Sequence, residues 1–251
     1  LLRTLYYETE PVVTGGFSEI DRERRVAMAK DEFRAEMKEW SPADTDAYIA
    51  RHYPAYWLKV DLPHKVSHAK FLRATAEAGK TLATDFGFDI LRSVTELTVI
   101  APDHPRLLSI IAGACAAAGA NIVDAQIYTT TDGLALDTIA VKREFEHNED
   151  EERRAGRIAE TIERALRGEI RLPDVVARRT APKGRIKAFA VEPEVNINNE
   201  WSNRYTVIEV TGLDRPGLLY EMTATISRLN LNITSAHVAT FGERARDVFY
   251  V

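Results

Sequence analysis

Two Asp-X-Pro turns bring together the residue types with the most chemistry in this sequence. They are Asp103-His104-Pro105-Arg106 before Leu107-Leu108, and Asp214-Arg215-Pro216-Gly217 before Leu218-Leu219. An Asn-Ile pair follows each, Asn121-Ile122 and Asn232-Ile233. Asp and Pro open a helix, whose first turn presents unpaired N–H groups and a positive dipole end that suit a carboxylate. Asparagine can accept from an ammonium and donate to a carboxylate, and Gly217 lets backbone approach a ligand without a Cβ in the way. The plainer reading is that Asp and Pro merely start a helix, but the duplication favours a ligand site. Its candidate residues are Asp103, Arg106, Asn121, Asp214, Pro216, Gly217, Leu218, Asn232 and Ile233. Arg106 stands where Gly217 stands in the second turn, so the second turn is expected to be the more accommodating one.

Other motifs offer less. Asp44-Thr45-Asp46 has the D-x-D spacing of a magnesium site, but it follows Ser41-Pro42, where acids cap a helix. His64 and His68 are spaced i, i+4 like two metal ligands, with no HExxH glutamate and no third ligand evident. Cys115 lies among alanines and reads as a buried small residue. The acidic run Glu149–Glu152 reads as a solvated helix start, and the basic stretch Arg178–Lys187, poor in aromatics, as a solvated connector. No catalytic residue and no metal ligand is assigned.

The elements that must position these residues come in duplicate. Thr95–Thr129 superimposes on Thr206–Thr240 with ten identical positions, against roughly two expected by composition. After a one-residue slip, Asp137 meets Asp247. Each unit runs from a strand (Leu97–Ile100, Val207–Val210) through the turn into a helix. Leu107, Ile111, Ala114 and Ala118 line the first helix, and Leu219, Met222, Ile226 and Leu229 the second. A second strand and a hairpin follow, the first signalled by Asp132-Gly133. Asn148 is expected to cap a further helix with Glu151 at its third position, and Gly168 to end it. Either Ile186–Val191 or Val195–Ile197 supplies the last strand of the first unit.

The fold class that follows is α+β, two ferredoxin-like βαββαβ units with the second truncated, after a helical N-terminal segment. Its helices are expected to open at Ser18, at Ser41-Pro42 and at Asp61-Leu62-Pro63, with an extra strand near Leu82–Phe86. The divisions are 1–80 helical, 81–200 first unit and 201–251 second unit. The chain starts without methionine and stops within a strand-like run, so it reads as a fragment.

Composition excludes several classes. Of 251 residues 45% are hydrophobic and 28% charged, which suits a globular protein. No apolar run is long enough for a membrane helix, and a net charge of −5 argues against non-specific nucleic-acid binding. A single cysteine and no secretory leader fit a reducing, cytoplasmic setting.

At the Asp-X-Pro-Leu-Leu turns and Asn-Ile starts the repeat resembles the ACT domain, a regulatory module that binds amino acids. The chain as a whole is similar to the C-terminal part of the bifunctional PII uridylyltransferase/uridylyl-removing enzymes. The segments that carry this are Leu5–Pro11, Asp61–Leu72 and Phe86–Thr138. The resemblance implies a nucleotidyltransferase domain and a metal-dependent HD domain upstream, with magnesium or manganese in the parent and no cofactor in this fragment. It implies residues 1–80 as the end of the HD region and its linker. It also implies glutamine as effector, favouring UMP removal, and PII as partner, with ACT–ACT pairing within or between chains. Alternatives are a non-enzymatic ACT-repeat protein that binds amino acids, or an ACT tail on another amino-acid-regulated enzyme.

Overall fold

The computed structural model describes residues 19–180, 192–202 and 205–251. The chain divides into two compact units between Arg73 and Ala74. The first holds α1 (Glu19–Glu36), α2 (Pro42–Ala50), α3 (Pro54–Lys59) and most of α4 (Leu62–Glu77). Ser41 caps α2 by accepting from the Asp44 N–H at 3.1 Å, and Asp46 pairs with Arg34 at 3.0 Å. The D-x-D is therefore a helix start. The sequence reading missed α3, which Pro54 opens in its first turn. The core of this unit is aromatic: Phe33 stacks on Tyr48 with centroids 5.2 Å apart, and Trp57 meets Phe33 edge-on. Tyr48 and Tyr56 share a hydrogen bond of 2.8 Å, and Tyr56 reaches buried His68 Nδ1 at 3.2 Å. His64 instead pairs with Asp61 at 2.6 Å, which separates the roles of the i, i+4 histidines.

The second unit is one antiparallel sheet of eight strands in the order β1-β2-β4-β3-β7-β8-β6-β5. The strands are β1 (Ala83–Asp89), β2 (Val94–Pro102), β3 (Ile122–Thr129), β4 (Leu134–Lys142), β5 (Glu194–Asn198), β6 (Val207–Leu213), β7 (Ser235–Phe241) and β8 (Arg244–Tyr250). The helices are α5 (Leu107–Ala118), α6 (Asn148–Leu166), α7 (Leu172–Thr180) and α8 (Leu218–Arg228). α5 packs against α6, α7 and α8. The core lies between helices and sheet, with Leu97, Ile111, Ile139, Ile158 and Phe249 fully buried.

The two repeats join edge to edge through β3 and β7, with Ala125 opposite Val238. In both repeats the outer strand precedes the repeat in sequence: β1 pairs β2, and β5 pairs β6. This corrects the expectation that Val195–Ile197 closes the first repeat. Val195 lies opposite Val210 and Ile197 opposite Ile208, so the segment edges the second repeat. The alternative, Ile186–Val191, lies outside the described residues.

Two local readings also change. The connector after Gly168 contains α7, whose Leu172 and Val176 are spaced i, i+4 and buried in the core; Pro173 sits in the first turn, where proline is tolerated. Asn148 is not the cap of α6; His147 is, and Asn148 Oδ1 accepts from Arg143 at 2.5 Å. Within the acidic run, Glu149 and Glu152 are exposed but Glu151 is fully buried. Its carboxylate accepts from Thr95 and Arg154, both at 2.7 Å, and from the N–H groups of Glu144 and Phe145. Burial alone would raise its pKa; these donors outweigh burial and hold it below the ordinary value.

Candidate functional site

The junction of the repeats sets each Asp-X-Pro turn against the other repeat. Asp214 directly follows β6 and is fixed by its N–H donating to the Glu243 carbonyl at 2.8 Å; Asp103 makes the same bond to Gly133 at 2.9 Å. Across the junction the Asn121 amide donates to Asp214 Oδ2 at 3.2 Å. On the other side Ser227 Oγ donates to the Pro105 carbonyl at 3.3 Å. The partner of each turn is thus the far end of the opposite repeat's helix, an arrangement that no spacing within one repeat displays.

Backbone geometry places Asn121. Gly119 ends α5 in the left-handed conformation at φ 79°, which turns the chain so that Ala120 N–H reaches the Cys115 carbonyl at 2.8 Å. Asn230, the counterpart of Gly119, is left-handed too, at φ 58°, a conformation asparagine tolerates. Asn232, however, is exposed, whereas Asn121 is half-buried.

The turns themselves differ. Gly217 sits at φ 84°, ψ −2°, a region costly for side chains with a Cβ. Arg106 takes φ −105°, ψ 2° instead, so the same turn is built in two ways. Arg106 is exposed, while Arg215 is held by Glu221 in the first turn of α8 at 2.9 Å.

The junction holds a narrow, partly open cavity of about 20 Å³, room for one water. Asn121, Asp214, Gly217, Leu218, Tyr220 and Asp247 are among the residues that line it. Of the candidates, the structure brings Asn121, Asp214, Gly217 and Leu218 together here. Pro216 is exposed beside them, and Ile233 packs against the core. Asp103 and Arg106 belong to the opposite turn, where Asp103 accepts from Thr129 at 2.9 Å.

Asp247 was missed as a site residue, although its match with Asp137 in the repeat was the available signal. It lies opposite Val210 and Val238, is 2% exposed, and its Oδ1 has no hydrogen-bond partner among the described residues. Burial, with a further push from Asp214, raises its pKa to about 7 against the pull of the Ala239 backbone. Asp137 is likewise raised, by burial and then by Asp103. Among the described residues no three His, Cys, Asp or Glu side chains gather as a metal site. No described helix is long and apolar enough to cross a membrane.

Comparison with known proteins agrees with this geometry. The ACT domain model matches residues 95–164 and 206–251, which carry the strands of the two repeats apart from the outer strands β1 and β5. The chain is 70% identical over all of its 251 residues to a bifunctional uridylyltransferase/uridylyl-removing enzyme of Nitrobacter hamburgensis, of which it covers 27%. It is 69% identical to those of Rhodopseudomonas palustris and a Bradyrhizobium strain, again over 27% of their length. The chain therefore spans about a quarter of the length of the relatives it matches.

Proposed function

We propose that this chain, two ACT domains and a helical unit matching part of bifunctional uridylyltransferase/uridylyl-removing enzymes, is a glutamine-sensing part of such an enzyme. The parent would add UMP to the signalling protein PII and remove it, in the cytoplasm, with glutamine favouring removal. The observation that carries this is the Asn121–Asp214 bond at the start of α8. It joins a helix N-terminus to an amide and a carboxylate, the groups that read a free amino acid.

The site is narrow. A cavity of about 20 Å³ cannot hold glutamine, so binding requires the clasp between the repeats to open. A ligand that binds only the open arrangement shifts the population toward it, and its apparent affinity carries the cost of opening. Opening at β3–β7 is then the structural change available for transmission. Calorimetry with glutamine tests this. Saturable binding that Gly217→Arg abolishes supports it; no saturable binding to the full chain overturns it.

A further inference from the structure

The small cavity at the junction is too tight for a side chain but matches a single polar head. Asp214 and Asp247 both line it. Asp247 is 98% buried by its 2% exposure, with Oδ1 unpartnered among the described residues. The charged groups facing Asp247 come from the turn after β6, Asp214 and Arg215, and Arg215 is already occupied by Glu221. α8 offers the neutral phenol of Tyr220 to the cavity, β7 offers Val238 and Thr240, and the end of α5 leads to the uncharged Asn121. Two carboxyl groups and no free cation therefore converge on a water-sized space among the described lining residues.

We propose that Asp247, together with Asp214, receives the α-ammonium of the amino-acid ligand. This rests on the amino-acid reading above and names how that site recognises its ligand. An ammonium is close to water in size, so it fits where the rest of the ligand does not. The remainder enters past Asn121, whose amide leaves Asp214 and becomes free to donate to the ligand carboxylate. The Asp247 O–H bond breaks, its proton goes to solvent, and the ammonium keeps all three of its own. With Asp247 titrating near 7 in the free protein, the ligand binds best above that pH. The first repeat carries the same acid at Asp137, fully buried with both oxygens unpartnered among the described residues, but Asp137 does not line this cavity. It is therefore an internal control.

The test is calorimetric titration of the full chain with L-glutamine at pH 6 and pH 8, each in two buffers of different ionisation heat. The expected result is close to one proton released per glutamine at pH 6, little release at pH 8, and affinity about tenfold weaker at pH 6. Glutaramate, which is glutamine without its amino group, should not bind. Asp247→Asn should weaken binding at pH 8 by at least about tenfold and remove the pH dependence, while Asp137→Asn should retain it. Glutamine binding with equal affinity at both pH values and no proton release, or glutaramate binding as well as glutamine, overturns the role of Asp247 and leaves the amino-acid reading standing. Failure of wild-type chain to bind glutamine at either pH removes both. If Asp247→Asn does not fold, the wild-type proton count and the glutaramate comparison decide the matter.

Discussion

Glu151→Ala should destabilise the second unit more than any surface change on α6. Glu151 is fully buried and accepts four hydrogen bonds, from Thr95, Arg154 and the N–H groups of Glu144 and Phe145. It ties the start of α6 to β2 and to the chain leaving β4. Truncation strands Arg154, which is 5% exposed and retains the Lys142 carbonyl at 3.1 Å and the half-exposed Glu144 at 3.2 Å. Breaking a buried pair costs about 3–5 kcal/mol. Since Glu144 keeps part of the compensation, about 3 kcal/mol is expected. Glu151→Gln keeps the size and one acceptor oxygen and should lose roughly half of that. Urea unfolding at pH 7 measures both, with exposed Glu152→Ala within about 0.5 kcal/mol of wild type. The pH dependence has a definite sign. A carboxyl held below its ordinary value stabilises the fold above the ordinary carboxylate range and loses that contribution as pH falls through its lowered value. The gap between wild type and Glu151→Gln should therefore close in acid. A loss below about 1 kcal/mol for Glu151→Ala, or a gap that stays constant into acid, would refute the reasoning.

Further expectations concern the junction and the core. Gly217→Ala must hold an L-residue at φ 84° and should cost about 1–2 kcal/mol in thermal or urea unfolding, with weaker glutamine binding; an unchanged protein would mean that the turn relaxes to the Arg106 geometry. At Gly113 a Cβ would lie 2.8 and 2.9 Å from Tyr220 ring carbons and 3.0 Å from Leu172. Gly113→Ala should therefore lose up to about 2 kcal/mol despite its helix propensity, and a double-mutant cycle should show the penalty relieved in Tyr220→Ala. Cys115 is fully buried and burial pushes its thiol up to about 12. It should resist alkylation at pH 8 until urea unfolds the sheet, and rapid labelling of the native chain would contradict this.

Much of the fold is local and was readable. The duplicated turns fixed where α5 and α8 begin, because Asp and Pro act within one helical turn. The apolar spacing of Leu107, Ile111 and Ala114 fixed which face they bury. Asp132-Gly133 fixed the β3–β4 hairpin through the one residue that takes φ 80° without strain. The helix α7 was missed because its basic end was read as part of a solvated connector, although Leu172 and Val176 carry helical spacing and proline is acceptable in a first turn.

What the sequence determined by itself is therefore the repeat, its helices and hairpins, and the short list from Asp103 to Ile233 from which a site could be built. Tertiary structure decided the rest, because strand neighbours and buried partners are set by contacts between distant segments. Val195 and Ile197 alternate identically whichever sheet edge they join, so only packing assigned β5 to the second repeat. An acid at Glu151 or Asp247 has the same local sequence signature exposed or buried; Thr95, 56 residues away, and Asp214, in the turn after the neighbouring strand β6, give them their roles. Above all, Asn121 meets the Asp214 turn rather than its own, 93 residues apart in sequence. The antiparallel seam of β3 with β7 turns two similar halves toward one another, and the candidate site exists only where they face.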